Sequence, residues 1–432
     1  MRIEKELGWL AVFKNYDFDN KPIVDIVNEM IIDAVNHGAS DIHFDPNEKE
    51  LKVRVRIDGS LLEYANVPNT VKKNLITRIK IISGMNITES RLPQDGAIKG
   101  LIENLDVDLR VSSLPIVDGE KIVIRILDYS MSNKGLESLG LTKNNYEKVK
   151  ELIKKPNGII MVTGATGSGK STTVYSILQV LNKTESNIIT VEDPVEMKIP
   201  GINQVQVMSE IGLTFSNTLR SILRQDPDII MIGEIRDDET ARIAVRAAIT
   251  GHLVLSTIHT NNSLNTIERL LDMDVERYLL GSALSGIISQ RLVKKLCPKC
   301  RASRNTTNYE KRIFKSIMNM DVEQIYTPVG CDECIDGYKG RIALQEVLEI
   351  DDDIKDAIVN NVRKDELRKL VYNDKQSTLI KDGLIKVLSG FTSLDEVLRV
   401  IDISSDFGDN DQEIKDTIMG KNSNPTQNIE SL

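Results

Sequence analysis

Residues 164–172 read GATGSGKST, a glycine-rich run that could hold a polyphosphate. The run fills every fixed position of the pattern G-x-x-x-x-G-K-[ST] with Gly164, Gly169, Lys170 and Ser171. Backbone N–H groups in such a P-loop surround the phosphates, the lysine reaches the β- and γ-phosphates, and the serine hydroxyl binds Mg²⁺. The residues predicted to bind a nucleoside triphosphate are Gly164, Ala165, Thr166, Gly167, Ser168, Gly169, Lys170, Ser171 and Thr172.

Acidic residues follow two apolar runs farther along the chain. Glu192 follows the run IITV, and Glu234 follows the run IIMIG. The carboxyl ends of parallel strands line a ligand crevice, so both carboxylates are expected near the phosphates, where they can hold Mg²⁺ or orient water. Glu234 stands where a P-loop NTPase keeps its Walker B acid, and we predict that it is catalytic and helps to bind Mg²⁺.

A third apolar run brings a histidine to the same predicted edge. The sequence GHLVLSTIHT at 251–260 begins with a turn that contains His252 and ends near His259. A strand between the two histidines places them at its opposite ends, so a zinc site shared by the pair is disfavoured. Two interpretations of His252 stay open, a residue of the turn or a functional group.

Four arginines are candidates for stabilising the charge that develops during phosphoryl transfer. An arginine often has this role, and it frequently comes from a neighbouring subunit. Arg110 and Arg125 lie in predicted strands of the amino-terminal region, whereas Arg220 and Arg224 precede the Walker B run. For each arginine taken alone, a solvated surface charge is the simpler interpretation. Their assignment therefore depends on a family resemblance.

The four cysteines of the chain form two C-x₂-C pairs, Cys297 with Cys300 and Cys331 with Cys334. Two such pairs predict a tetrahedral Zn²⁺ held by four thiolates. A four-thiolate site has no open coordination position, so the predicted zinc is structural. The competing interpretations are two disulfides, which a reducing compartment disfavours, and unrelated buried thiols, which the paired spacing disfavours.

The elements that must position these residues follow from apolar patterning and turn residues. Strands at 158–162, 188–191, 229–232 and 253–257, with a helix at 172–181, predict a parallel sheet covered by helices. The amino-terminal region has its own patterns. Helices at 22–37 and 70–83, a hairpin around the Asp58-Gly59 turn, and strands at 107–111 and 121–127 predict a small α/β domain there.

The predicted fold class is α/β, in several parts, because 432 residues exceed one simple core. The expected parts are an amino-terminal arm at 1–20, a small α/β (PAS-like) domain at 21–129, a linker at 130–135, a P-loop domain at 136–290, a tetracysteine segment at 291–347, a helical region at 348–403 with its last helix at 393–401, and a disordered tail at 404–432.

Composition and charge limit the classes of partner and the cellular location that the sequence predicts. The chain has 64 acidic and 55 basic residues and a formal net charge of −9, which argues against a general nucleic-acid-binding surface. No window approaches 18 uninterrupted apolar residues, and the start MRIEKELGWLAVFKNYD lacks the apolar centre of a signal peptide. We therefore expect a cytoplasmic protein that attaches to a membrane through a partner.

Four motifs in order carry a family resemblance. GATGSGKST, TVEDPVE, RQDPDIIMIGEIRD and GHLVLSTIHTN resemble the Walker A, Asp box, Walker B and His box of the secretion ATPase superfamily, the motors of type II secretion and type IV pili. ASDIHFDP, RLPQDG, RVSSLPIVDGEKIVIRIL and DGLIKVLSGFTSLDEVLRV are also similar to the family's segments, from about residue 20 to 402. The resemblance implies a RecA-like P-loop core with a small amino-terminal α/β domain, a tetracysteine zinc segment and a carboxyl-terminal helical region.

The resemblance also implies a chemistry. ATP, Mg²⁺ and structural Zn²⁺ are the implied cofactors. Lys170 and Ser171 would bind phosphates and Mg²⁺, and His259 would sense the γ-phosphate. Glu192 and Glu234 would share water activation and metal organisation. Glu234 is the favoured catalytic acid, but the division of roles between the two glutamates stays open.

The family implies a homo-hexameric ring in which the first domain of one subunit lies over the P-loop domain of the next. Arg110 and Arg125 would then be sensors or arginine fingers, and Arg220 and Arg224 would lie at the ring contact. The ring would act at the cytoplasmic face of the cell membrane on an inner-membrane platform protein. No direct contact with nucleic acid is expected.

The tetracysteine segment is similar to that of assembly and export motors, whereas pilus retraction motors generally lack it. The region before residue 20 is shorter than the docking region of many assembly ATPases, so the chain resembles a short type IV pilus assembly ATPase. We therefore predict a motor that adds pilin subunits to a fibre. The alternatives are a type II secretion motor, a zinc-ribbon nucleic-acid translocase, and a switch that binds nucleotide without turnover.

Overall fold

The computed structural model describes residues 13–103, 105–127, 135–373, 378–401 and 416. These residues form two compact units. The first unit contains the described residues up to position 127 together with Cys297–Cys300 and Val329–Gly340, and the second contains the others. The predicted arm and linker are described only in part, and the predicted tail at 404–432 lies outside the described residues except for position 416.

The first unit is built on a six-stranded antiparallel sheet with strand order β3-β2-β1-β6-β5-β4. Its strands are β1 Ala39–Pro46, β2 Glu50–Ile57, β3 Ser60–Pro68, β4 Gln94–Ile102, β5 Leu105–Ile116 and β6 Gly119–Ile126, and its helices are α1 Ile23–Asn36 and α2 Asn69–Ile82. Apolar residues alternate with polar ones along β2, so one face is buried against the helices. The two helices and the hairpin predicted from the sequence are present.

The two cysteine pairs pack on this first unit. The backbone N–H of Gly340 donates to a carboxylate oxygen of Asp58 at 2.7 Å, in the turn between β2 and β3. Ile335, between the second cysteine pair and this contact, packs against the core of the same unit. The cysteine loops are thus attached to the amino-terminal sheet through a hairpin turn more than 200 residues away in sequence.

The second unit is built on a seven-stranded sheet with strand order β15-β12-β7-β11-β10-β8-β9. The strands of this sheet are β7 Gly158–Thr163, β8 Ile188–Glu192, β9 Asn203–Gln206, β10 Ile229–Ile232, β11 Leu253–Ile258, β12 Leu284–Leu296 and β15 Tyr338–Glu349, and a separate two-stranded ribbon contains β13 Ala302–Asn305 and β14 Gln324–Thr327. Strands β7 to β12 of the sheet pair in parallel. The four predicted strands are present as β7, β8, β10 and β11.

Helices cover this sheet. In the described part of the second unit they are α3 Lys143–Leu152, α4 Lys170–Leu181, α5 Phe215–Ile222, α6 Asp238–Ile249, α7 Ser263–Asp272, α8 Arg277–Ala283, α9 Asn308–Met318, α10 Asp352–Val359, α11 Lys364–Val371, α12 Leu379–Leu388 and α13 Leu394–Val400. Every residue of β7, β8, β10 and β11 is buried, as expected for parallel strands covered on both faces. Among the described residues, no helix is long and apolar enough to cross a membrane.

Two strands of the second sheet extend across the domain boundaries expected from the sequence at positions 290 and 347. Strand β12 starts at Leu284 and continues past position 290, and β15 continues past position 347. The chain between the two cysteine pairs has structure of its own, namely helix α9 and the β13–β14 ribbon. These elements share a core with α12 and α13.

Candidate active site

The P-loop connects the buried strand β7 to helix α4, as the phosphate-binding pattern requires. Gly169, at the N-cap of α4, has a φ angle of 87°, which favours glycine. Gly164 has no space for a side chain, because a Cβ atom there would lie 2.4 Å from the carbonyl oxygen of Gln290. The loop therefore presents its backbone and the amino end of α4 as a site for an anion.

Lys170 is the first residue of α4, and its ammonium group lies over the loop. The Nζ atom donates to the carbonyl oxygens of Gly164 at 2.9 Å and of Ala165 at 3.2 Å. Burial lowers the pKa of Lys170, and the negative charge of Glu234 opposes that shift. The charges of Lys170 and Glu234 thus interact across the site. The next residue, Ser171, is exposed.

Glu234 follows β10 and its carboxylate contacts two basic side chains. One carboxylate oxygen lies 3.3 Å from Nε2 of His259, and the other accepts a hydrogen bond from Arg236, whose pKa this bond raises. The side chain of Glu234 keeps 15% of its surface exposed. His259 follows β11, which pairs in parallel with β10, so both residues leave the sheet at the same edge. This juxtaposition agrees with the sequence prediction.

Glu192 ends β8, on the other side of β10, but its surroundings differ from those of Glu234. Glu192 is only 3% exposed. One carboxylate oxygen accepts a hydrogen bond from the hydroxyl of Tyr175, and the other accepts from Oγ1 of Thr190 at 2.5 Å and Nε2 of Gln204 at 3.0 Å. Burial and the charge of Glu192 raise the pKa of Tyr175, which keeps its hydroxyl protonated as a donor. Both oxygens of Glu192 are therefore occupied by groups of the protein.

Two of these donors also fix the loop that follows Glu192. The Tyr175 hydroxyl oxygen accepts the N–H of Glu196 at 3.1 Å. The Gln204 amide accepts the N–H of Ile199 at 2.7 Å and donates to the carbonyl oxygen of Met197 at 2.9 Å. Glu192 thus lies in a hydrogen-bonded cluster that holds its own loop in place.

Other polar residues also contact the site. The hydroxyls of Thr163 and Thr260 lie 2.5 Å apart and connect the end of β7 to the loop that carries His259. The amide of Gln290 on β12 donates to the carbonyl oxygen of Ser168 in the P-loop. Sequence reasoning did not identify Thr163, Thr260 or Gln290. The pairing of β7 with β11 and β12 brings these residues to the site, and no local sequence pattern predicts that pairing.

The two arginines predicted in the amino-terminal region face each other. Arg110 on β5 and Arg125 on β6 are cross-strand partners in the first unit. The Nε atom of Arg125 lies 3.1 Å from a carboxylate oxygen of Asp41 on β1. The side chain of Arg125 nevertheless keeps 67% of its surface exposed, so it could contact another molecule.

The other two arginines lie at the end of α5 in the second unit. Arg220 donates to the carboxylate of Glu239 at 2.5 Å, and Arg224 donates to the carbonyl oxygen of Arg220 at 2.7 Å. Both residues are exposed. Arg125, Arg220 and Arg224 therefore have partners within their own units, and their catalytic roles stay predictions.

His252 lies at the end of β11 opposite to His259. The ring atom Nδ1 of His252 lies 2.9 Å from the carbonyl oxygen of Ala247, in the last turn of α6. The backbone carbonyl of His252 accepts the N–H of Gly158 at the start of β7. These contacts support the interpretation of His252 as a residue of the turn between α6 and β11.

The four cysteines lie together in the first unit as free thiols. The sulfur atoms are separated by 3.9 Å for Cys297 and Cys331, 3.6 Å for Cys300 and Cys334, and 3.6 Å for Cys331 and Cys334, and all four lie within 4.8 Å of one another. Sulfur ligands placed tetrahedrally at a zinc–sulfur distance of about 2.3 Å would be about 3.8 Å apart. The donor set and its spacing therefore fit Zn²⁺, and the disulfide interpretation is wrong for this structure.

Backbone N–H groups around the cysteines also suit a metal site. Gly330 donates its N–H to the sulfur of Cys300 at 3.3 Å, and Cys331 donates its N–H to the sulfur of Cys334 at 3.2 Å. Hydrogen bonds of this kind orient metal ligands and stabilise negative charge on them. The loops thus support four thiolates as well as four thiols.

The chain is similar to proteins of known systems. A family model described as "Type II/IV secretion system protein" matches residues 17–399. The chain is 47% identical over 380 residues to a putative type II secretion system protein E of Escherichia coli, covering 88% of this chain and 77% of that protein. It is 44% identical over 387 residues to the type IV pilus assembly ATPase PilB of Pseudomonas aeruginosa, covering 88% of this chain and 68% of that protein.

Solved structures share the fold. The crystal structure of the pilus retraction motor PilT with bound ADP superimposes with a TM-score of 0.59 at 27% identity, covering 87% of this chain and 96% of that one. The fold of this chain is thus shared with a solved pilus motor. The similarity extends over both units, because it covers nearly the whole of each chain.

Proposed function

The chain belongs to the type II/IV secretion system protein family and is an ATP hydrolase of that family, and we propose that it powers the assembly of type IV pili. The tetracysteine cluster carries this proposal against a retraction motor, because the family resemblance associates such a segment with assembly and export motors. The similarity to the pilus assembly ATPase of Pseudomonas aeruginosa supports the same function. The proposed motor is a homo-hexamer that acts at the cytoplasmic face of the cell membrane on an inner-membrane platform protein.

In the proposed reaction the P-loop holds the triphosphate of ATP through its backbone N–H groups and Lys170. Ser171 and Glu234 would hold Mg²⁺, which neutralises charge on the phosphates when it is bound. Glu234 takes the proton of the attacking water. His259 senses the γ-phosphate and transmits its presence to Glu234. The support for this assignment is the position of Glu234, which is partly exposed, lies 3.3 Å from His259 and interacts electrostatically with Lys170.

Glu192 has a different role in this proposal, that of organising the loop after β8. The support is its burial and the three side-chain donors that occupy both of its oxygens. Three of the roughly four acceptor sites of the carboxylate are thus taken by protein groups, and its burial leaves little room for a water molecule beside it. The proposal therefore divides the two glutamates into an acid–base group and a structural one.

Arginines from a neighbouring subunit would complete the site in the proposed hexamer. Arg110 and Arg125 would act as sensors or fingers on the amino-terminal unit, and Arg220 and Arg224 would lie at the contact between subunits. The four cysteines would hold Zn²⁺ as a closed structural site, which stabilises the loops and takes no part in hydrolysis.

The experiment that tests the pilus proposal uses the bacterium that carries the gene. The chromosomal variant Lys170→Ala should lose surface fibres, counted by electron microscopy, and should keep export of secreted proteins at the wild-type level. The matched control is Lys183→Ala, because Lys183 is an exposed lysine just beyond the end of the same helix. This control should keep normal fibres.

A type II secretion motor is the second candidate, and the 47% identity to a putative type II secretion system protein E supports it. In that case Lys170→Ala abolishes export and leaves fibres in place. Fibres that persist or lengthen in the Lys170→Ala strain would overturn the assembly proposal. A loss of both fibres and export would show one motor serving both machines.

A further inference from the structure

Gln290 lies directly beneath the P-loop although it belongs to none of the four motifs. Strand β12 pairs in parallel with β7, and Ser289 is the partner of Thr163, the last residue of β7. The next residue on β12 is Gln290, which therefore lies where β7 ends and the P-loop begins. Gln290 is only 1% exposed, so its polar side chain must find partners inside the protein.

The side-chain amide of Gln290 bonds to the P-loop and to the helix that follows it. Its Nε2 atom donates to the carbonyl oxygen of Ser168 at 2.7 Å, and its Oε1 atom accepts from the hydroxyl of Thr173 at 2.8 Å. The orientation of the amide follows from chemistry, because a carbonyl oxygen can only accept and so must face the NH₂ group. One side chain thus joins the P-loop backbone to the first turn of α4.

The backbone of Gln290 adds a third contact. Its carbonyl oxygen is the atom that a side chain at Gly164 would strike, at 2.4 Å. Gln290 therefore supports the loop at Gly164, at Ser168 and at Thr173, three points that span the loop from its first residue to the helix. These contacts hold the loop and the amino end of α4 in one arrangement.

We propose that Gln290 is a positioning residue for nucleotide binding, which presets the P-loop before the phosphates arrive. A flexible loop must lose conformational entropy when its N–H groups converge on a phosphate, and a loop that is already held loses less. Removing the amide therefore weakens the affinity for nucleotide even where the fold survives. The inference rests on the proposed phosphate-binding role of the P-loop.

The test substitutes Gln290→Met, which keeps the length of the side chain and removes both hydrogen bonds. The measurements are the Kd for ADP with Mg²⁺, by isothermal titration calorimetry on the purified full chain, and the Tm. The Kd should rise about tenfold, the factor that corresponds to the net loss of about one to two hydrogen bonds. In steady-state hydrolysis, KM for ATP should rise by a similar factor while kcat changes less, because the preset loop binds ground state and transition state alike.

The matched control is Gln345→Met on the edge strand β15. Gln345 is also fully buried on the same sheet, and its side-chain amide has no hydrogen-bond partner among the described residues. The same substitution there removes an amide of the same size without touching the P-loop. Its Kd for ADP should equal that of the wild type.

A second variant removes the hydrogen bond between Thr173 and Gln290 by changing Thr173 instead. Thr173→Val removes the hydroxyl that donates to Gln290 and should raise the Kd by less than Gln290→Met does, because the bond to Ser168 remains. The double variant should bind ADP no more weakly than Gln290→Met alone, since the shared bond can be lost only once. This second variant keeps the proposal testable if Gln290→Met does not fold.

The proposal is overturned if Gln290→Met and Thr173→Val both lower Tm and leave the Kd for ADP unchanged, since the cluster would then be structural only. Lys170→Ala separates this failure from failure of the P-loop assignment. If Lys170→Ala keeps wild-type affinity, the nucleotide binds elsewhere and the underlying assignment is wrong. If Lys170→Ala binds weakly and Gln290→Met binds normally, only the positioning role fails.

Discussion

Two glutamates lie at the carboxyl ends of neighbouring parallel strands of the second unit, and they differ in burial and in the side chains around them. Glu234 after β10 keeps part of its surface exposed and faces His259 and Arg236. Glu192, the last residue of β8, is buried and accepts hydrogen bonds from Tyr175 and from two other side chains. In the proposed division of roles, the neighbours of each acid decide whether it serves catalysis or holds a loop.

The general lesson is that the motif supplies the carboxylate and the environment supplies its role. Glu234 faces the basic side chains of Arg236 and His259 and keeps part of its surface exposed, so a ligand can reach it. The groups around Glu192 are neutral donors that hold the side chain in one place. Four substitutions test this difference, in decreasing order of expected effect.

Replacing Glu234 should have the largest effect on catalysis. In Glu234→Gln the side chain keeps its shape and loses its ability to accept a proton, so kcat for ATP hydrolysis should fall about 10³-fold, within the range of a general base. The Kd for ADP should stay near the wild-type value. The control is Glu185→Gln, an exposed acid before β8, which should leave kcat unchanged. A Glu234→Gln protein with more than half of the wild-type kcat would contradict the assignment.

Replacing Glu192 should act mainly on stability. In Glu192→Gln an NH₂ group replaces one oxygen and faces side chains that donate hydrogen bonds to the carboxylate in the wild type. The free energy of unfolding should therefore fall by about 1–3 kcal/mol. Chemical denaturation in urea measures this change, and kcat at 25 °C should fall far less than in Glu234→Gln. Unchanged stability together with a loss of kcat as large as that of Glu234→Gln would assign Glu192 to catalysis.

Replacing His259 should have a smaller catalytic effect. His259→Asn shortens the side chain and removes the ring nitrogen that lies 3.3 Å from Glu234. The expected loss of kcat is about tenfold, which corresponds to one hydrogen bond to a charged group of about 1.5 kcal/mol. His252→Asn is the matched control, because that histidine lies at the opposite end of β11. Equal losses of kcat in the two variants would refute a specific role for His259.

The smallest effect is expected at Tyr175. Tyr175→Phe keeps the buried ring and removes the hydroxyl that joins Glu192 to Glu196, so the free energy of unfolding should fall by about 1 kcal/mol. Denaturation in urea measures it, with the exposed Tyr278→Phe as a control that should change nothing. A stability equal to that of the wild type would show that the hydroxyl does not hold Glu192.

The parts of the site that were predictable from sequence depend on local patterns. The P-loop, the four strands and the edge at which Glu234 and His259 meet follow from apolar runs that end in turns or polar residues, and in parallel sheets these ends must lie together. The contact of Lys170 with Gly164 is likewise local, between residues six positions apart.

Long-range pairing explains what the sequence did not reveal. Gln290 contacts Ser168 across 122 positions of sequence, and Glu192 accepts hydrogen bonds from Tyr175 and Gln204, which belong to other elements of the second unit. Strand β4 was not predicted because glycines interrupt its apolar pattern, and its pairing with β5 defines it. The attachment of the cysteine loops at Asp58 is also a contact between distant parts of the chain.

The most direct test of the division between the two glutamates is the identity of the nucleotide that stays bound. Purified wild type, Glu234→Gln and Glu192→Gln are incubated with ATP and Mg²⁺, separated from free nucleotide and analysed by anion-exchange chromatography. We expect ATP from Glu234→Gln, and ADP from the wild type and from the folded Glu192→Gln protein. Intact ATP on Glu192→Gln together with ADP on Glu234→Gln would contradict the account and make Glu192 the catalytic acid.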